Sequence, residues 1–143
     1  MGTLRLVILL SLSLAACNAP STADSSDDVR AWQGTWRLIS STYDGEAQMA
    51  DLLWVVEGNQ YRTRYNGHLD EVPVTFTLDA SRKHIDATHH ETPRGTYGGK
   101  LKGIYKISRS SLTVCYDLTG NQYPTSFEAK RGSRHVVYQF RRE

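Results

Sequence analysis

Few residues of this 143-residue chain are of types that do covalent or metal chemistry, and their spacing keeps most of them apart. There are two cysteines, Cys17 and Cys115, and five histidines, at positions 68, 84, 89, 90 and 135. His89-His90-Glu91, with His84 shortly before it, is the nearest approach to a metal-ligand cluster. Adjacent residues on a strand point to opposite faces, so His89 and His90 reach one ion only if they lie in a turn. Their surroundings, Thr88 to Lys100, are rich in Gly and Thr and contain Pro93. That is a polar hairpin, so the histidines read as solvated loop residues rather than a Zn or Cu site, and no metal is expected. The carboxylates Asp44, Glu46, Asp51, Asp70 and Glu71 are scattered over loops, and no Ser-His-Asp order, nucleotide loop or paired-cysteine motif stands out. Neither an enzyme nor a cofactor is expected.

Cys17 is the exception, because its chemistry is set by what precedes it. Met1 to Arg5 carries one basic side chain, and Leu6 to Leu14 is an unbroken run of Leu, Val, Ile and Ser. That run has the length of a secretory h-region and is too short to span a bilayer as a helix. Leu14-Ala15-Ala16-Cys17 resembles the bacterial lipobox, in which the cysteine sulfur is diacylated and the peptide is cut just before it. The resemblance makes residues 1–16 a lipoprotein signal peptide and Cys17 the lipidated N-terminus, held in the membrane by its acyl chains. An ordinary signal peptide that happens to hold a cysteine is the competing reading. Asn18 follows the cysteine, where an aspartate resembles an inner-membrane retention signal, so an outer-membrane lipoprotein facing the periplasm is expected.

Residues 17–29, small, polar and acidic, have too little apolar surface to offset ordering and read as a tether. Residues 30–143 are the usual size of one domain. Loss of residues 1–16 removes Arg5 alone and takes the net charge from +2 to +1, a balance that calls for no nucleic acid. With Cys17 acylated, Cys115 has no partner for an internal disulfide and reads as a buried, inert thiol.

The elements that position these residues follow period two. Trp36 and Leu38 alternate with Arg37 and Ile39, Tyr61, Thr63 and Tyr65 with Arg62 and Arg64, and Val74, Phe76 and Leu78 with Thr75 and Thr77. Similar runs occur at Leu52–Val56, Ile85–Ala87, Leu101–Ile107, Leu112–Tyr116 and Val136–Phe140. Short turn signals such as Glu57-Gly58-Asn59, Asn66-Gly67 and Gly98-Gly99 separate most of them. Eight short strands in an antiparallel meander predict an all-β, eight-stranded up-and-down barrel. An acidic cap before Val29 and Trp32 predicts a short N-terminal helical turn that plugs one end of the barrel. A second helical turn is expected at Ala47 to Leu52.

Gly34-Thr35-Trp36 resembles the G-x-W element of the lipocalins, in which the tryptophan packs across the barrel floor beneath a basic residue near the last strand. Arg141 or Arg142 stands in that place, and Gly34, Trp36 and Arg141 form the expected floor. The chain from about residue 32 to its end also resembles a lipocalin-like family abundant in planctomycetes. The matching residues are Gln33-Gly34-Thr35-Trp36, Asp44-Gly45, Phe76-Thr77-Leu78-Asp79, Ile85-Asp86, Gly103-Ile104-Tyr105, Leu112-Thr113-Val114-Cys115 and Tyr123-Pro124-Thr125-Ser126-Phe127. Tyr123 occupies a place where the family usually has Arg. The resemblance implies the fold and places Cys115 within a strand, but it supplies no catalytic set.

Inside such a barrel Trp36, Leu38, Phe76, Leu78, Tyr105, Val114 and Tyr116 are expected to line any ligand cavity, apolar with tyrosine hydroxyls at its rim. The expected function is non-catalytic binding of a small amphiphilic or lipid-like molecule by a membrane-anchored monomer. The alternative is a protein-interaction module, such as an inhibitor of a lysozyme-like enzyme or an immunity factor against a toxin. The rows Arg62/Arg64 and Lys100/Lys102/Lys106 read as a solvated barrel exterior, or else as a patch facing an anion. Grown with labelled palmitate in a Gram-negative host, the wild-type chain should carry label and a Cys17→Ser chain none. Label persisting on Cys17→Ser overturns the lipidation reading.

Overall fold

The computed structural model describes residues 24–70, 72–90 and 99–143. The lipobox, Cys17 and most of the tether lie outside the described residues. The first element is helix α1, Ser25–Trp32, whose N-cap Asp24 accepts from the Ser26 N–H at 2.9 Å. Asp27 and Asp28 occupy its first turn, where the helix dipole favours acids. The expected helical turn is a two-turn helix that starts at Ser25, before residue 30. The acids that read as tether are its cap and first turn.

Ten strands follow: β1 Gly34–Tyr43, β2 Glu46–Gln48, β3 Leu52–Glu57, β4 Gln60–Tyr65, β5 His68–Leu69, β6 Val74–Asp79, β7 His84–His89, β8 Gly99–Ile107, β9 Ser111–Asp117 and β10 His135–Arg142. Eight of them, all but β2 and β5, pair antiparallel in chain order, and β10 returns to β1 to close the barrel. β2 and β5 are short hairpin partners of β1 and β4. The stretch expected to hold a second helical turn is therefore strand β2 and the start of β3. The reason is local: Asp44 and Gly45 both have positive φ, 51° and 76°, the two-residue turn that folds a strand straight back on itself.

A closed barrel of eight strands encloses a volume that side chains must fill. Alternation sends Trp36, Trp54, Val56, Tyr61, Val74, Phe76, Ile85, Ala87, Tyr105, Leu112, Val114, Tyr116 and Phe140 inward, all buried. α1 closes one end and drives Trp32 into the interior, fully buried. Its ring lies 5.2 Å from Phe76 and 5.4 Å from Tyr105, the latter edge-on, and stacks at 6.5 Å on Trp54. Trp54 continues the column to Tyr61 and Phe140, each at 4.3 Å, and to Tyr138 at 5.7 Å. Gly103 makes room on β8, since a Cβ there would stand 2.7 Å from the Tyr116 ring and 2.9 Å from Ile85.

The floor is tied together by Arg142, not Arg141. Arg142 sits opposite Trp36 in the β1–β10 register and its guanidinium lies 4.1 Å over the indole. It donates to the Gln33 carbonyl at 2.5 Å, Ala31 at 2.7 Å and Arg109 at 2.8 Å, joining the end of α1 to both terminal strands. Arg141 is the next residue along and points outward into solvent. Gly34 holds its place in the floor with φ 111°, and a Cβ there would meet the Arg142 Nη1 at 3.1 Å. The Trp36 indole N–H donates to the Trp32 carbonyl at 2.7 Å, and Gln33 bonds both polar groups of Gly58 in the β3–β4 turn.

Trp32→Ala should lower stability by about 3–5 kcal/mol in urea or thermal unfolding, as loss of a fully buried aromatic. Trp32→Phe should cost less than half of that, because it keeps a ring in the plug and removes an indole N–H that has no partner among the described residues. Equal losses for the two would mean that α1 is not held by filling the barrel.

Candidate functional site

The expected cavity residues divide sharply. Trp36, Phe76, Tyr105, Val114 and Tyr116 are packed solid core, and Leu78 is half-buried against it. Of the seven, only Leu38 faces open space. The correction has a simple cause: three tryptophans and five rings of Tyr and Phe fill the barrel interior, so the unfilled volume lies at the end away from α1.

That volume is a half-open recess of about 380 Å³ at the barrel mouth. Leu38, Leu52, Val136 and Tyr138 form its inner walls, and Ser41 is buried beside them. Tyr43, Met49, Tyr65 and Leu118 form its rim with Gln48 and Ala50. These four rim side chains are among the few large apolar groups exposed in the described residues, and Met49 is 85% exposed. Among the described residues no charged side chain lines the recess. A β-bulge at Ile39 produces the geometry, because the extra residue between Leu38 and Ser40 resets the phase of β1 so that Ser41 borders the recess.

Beneath the recess three phenols converge. The Tyr61 and Tyr116 hydroxyls lie 3.4 Å apart, fully enclosed, and Tyr138 is near enough to both to disfavour their ionisation. Burial is the main cause that pushes all three phenols up, so each stays protonated at neutral pH. The arrangement offers neutral hydroxyl groups in an apolar surround.

The other sequence candidates lie elsewhere. Among the described residues no three His, Cys, Asp or Glu side chains gather in a metal-binding cluster. His84 stacks on Tyr123 at 3.9 Å on the outer wall, and His90 Nε2 contacts the Thr75 hydroxyl at 3.1 Å, exposed. Lys102 lies 4.9 Å from the Tyr123 ring and Lys106 4.6 Å from the Phe127 ring, so two of the three lysines hold the 118–134 connection against the wall. Tyr123 also donates to Asp86 at 2.7 Å, and that bond, more than burial, pushes its phenol up to about 12. Arg62 and Arg64 are exposed, and Arg64 flanks a shallow outer groove with Arg37, which pairs with Asp51 at 3.2 Å and Glu143 at 2.5 Å. Cys115 is fully buried outside the barrel interior, packed with Ala129 and Val137 under the 118–134 connection. Burial pushes its thiol up to about 11, which keeps it protonated and unreactive.

Sequence reasoning missed Ser41, Tyr43, Met49, Tyr65, Leu118, Val136 and Tyr138 as site residues. Tyr43, Met49, Tyr65 and Leu118 carry a sequence signal, as large apolar or aromatic residues at strand ends or beside turns; Ser41, inside β1, carries none. The fold and site define a closed eight-stranded antiparallel barrel with a plugged floor and an apolar mouth. No family model, curated protein or solved structure matches the chain.

His89 ends β7 at the mouth, its Nε2 enclosed and without a partner among the described residues. Burial, aided by His90 and opposed by Asp70, lowers its pKa from the ordinary 6.5. As pH falls below that value the unfolded chain takes up the proton before the folded one, so stability is lost between it and the lower folded pKa. Asp24 and Asp79, whose carboxyls are held low chiefly by hydrogen bonds from Ser26 and Ser81, act only below about pH 4. The melting temperature should therefore drop between about pH 7 and pH 5, and His89→Gln should flatten that drop. An unchanged slope in His89→Gln would assign the drop to other groups.

Proposed function

We propose that this protein is a membrane-anchored, periplasm-facing lipoprotein that binds a small amphiphilic or lipid-like molecule in the mouth of its barrel, without catalysis. The observation that carries the reading is the recess itself: about 380 Å³, within the range of small-molecule sites, apolar, uncharged, and rimmed by exposed Tyr43, Met49, Tyr65 and Leu118. Monomeric proteins rarely leave such groups clustered in water unless something covers them. The lipocalin-like motifs support the same reading, since Gly34 and Trp36 stand in the barrel floor as the G-x-W element implies. The lipobox supports the anchor at Cys17 and the outer-membrane location.

The rim alone also suits a protein partner, the second reading. Native mass spectrometry of residues 18–143, exported behind a cleavable leader, separates the two. A bound species of a few hundred daltons that is lost on denaturation supports the ligand reading, and its absence from Tyr65→Asp/Leu118→Asp places it at the mouth. A clean apo mass from the native host shifts the function to a protein partner.

A further inference from the structure

The recess is selective in a way that its volume does not convey. Among the described residues its lining contains hydroxyls, one amide and apolar groups but no ionised side chain. A carboxylate or ammonium drawn into it would lose its hydration and find no counter-ion. The inner wall is not wholly apolar, however. Tyr61 and Tyr116 share their hydroxyls, 3.4 Å apart, whereas the Tyr138 hydroxyl makes no hydrogen bond among the described residues. Hydrocarbon laid over that O–H would leave it with neither water nor a partner, so a ligand that presents only hydrocarbon to Tyr138 wastes part of its binding. The walls add shape. Tyr43, Tyr65 and Tyr138 offer ring faces and edges, which prefer a flat or rigid ring to a flexible chain that must lose rotamer freedom on entry.

We propose that the part of the ligand buried in the mouth is an uncharged aromatic or alicyclic ring bearing one hydrogen-bonding oxygen, which pairs with the Tyr138 hydroxyl. This inference rests on the mouth being the ligand site and specifies what that site takes. The phenols stay neutral through the physiological range, so the selectivity is not tuned by pH there.

The test uses three compounds of one shape: 2-naphthol, naphthalene and 2-naphthoate, titrated into residues 18–143, whose described part includes the whole closed barrel. Amide shifts of Ser41, Leu52, Val136 and Tyr138 locate binding, and fluorescence of Trp54, whose ring lies 5.7 Å from that of Tyr138, gives the Kd. The expected order is 2-naphthol about tenfold tighter than naphthalene, for one satisfied hydrogen bond, with 2-naphthoate weakest. Tyr138→Phe should bind naphthalene at least as tightly as the wild type does and lose the preference for 2-naphthol. Equal wild-type affinity for 2-naphthol and naphthalene, or 2-naphthoate binding as tightly as 2-naphthol, overturns the inference and leaves the mouth as a ligand site. If none of the three moves the mouth amides, both the inference and the ligand reading fall.

Discussion

Everything in this structure follows from how the inside of a closed barrel is filled. Eight short strands enclose more volume than their own inward side chains occupy, and the chain solves this from one end. α1 inserts Trp32 under Trp54, Phe76 and Tyr105, and the aromatic column rises from there to Tyr138. Close packing below and open space above are two sides of one arrangement. The site is at the mouth because the floor has been spent on stability.

Arg142 makes that arrangement cooperative. One guanidinium covers Trp36, accepts no competing group, and donates to carbonyls of α1 and of the β8–β9 turn. First strand, last strand and the end of the helix thus meet at one side chain. The planar fork of arginine suits the task, since it stacks on an indole face while its edge reaches three carbonyls, which the ammonium of a lysine could not do.

Much of this was legible in the sequence. Period-two alternation and glycine turns located all eight barrel strands, and the acid-rich stretch before Trp32 located the plug. What escaped depended on single-residue phase and on three-dimensional filling. Arg141 and Arg142 are equivalent as text, and only the register with Trp36 decides which faces inward. The bulge at Ile39 leaves no mark in composition, yet it decides that Ser41 borders the recess. The Ala47–Leu52 stretch looked helical because its strand partner, the second half of β1, is invisible without the turn at Asp44-Gly45. The cavity was placed too deep because alternation says which side chains point inward but not which of them meet. The three phenols Tyr61, Tyr116 and Tyr138 belong to strands far apart in the chain.

The direction of α1 carries a further consequence. Its first residue, Ser25, bonds the Ala80 N–H in the β6–β7 turn at 3.2 Å, so the chain enters the barrel at its plugged end, away from the mouth. Six residues lie between Cys17 and Asp24, a reach of at most about 25 Å when fully extended. With Cys17 acylated, the closed end is moored near the bilayer and the mouth is directed into the aqueous space beyond. A molecule held in the mouth, were one bound, would then meet the aqueous side rather than the leaflet that holds the anchor.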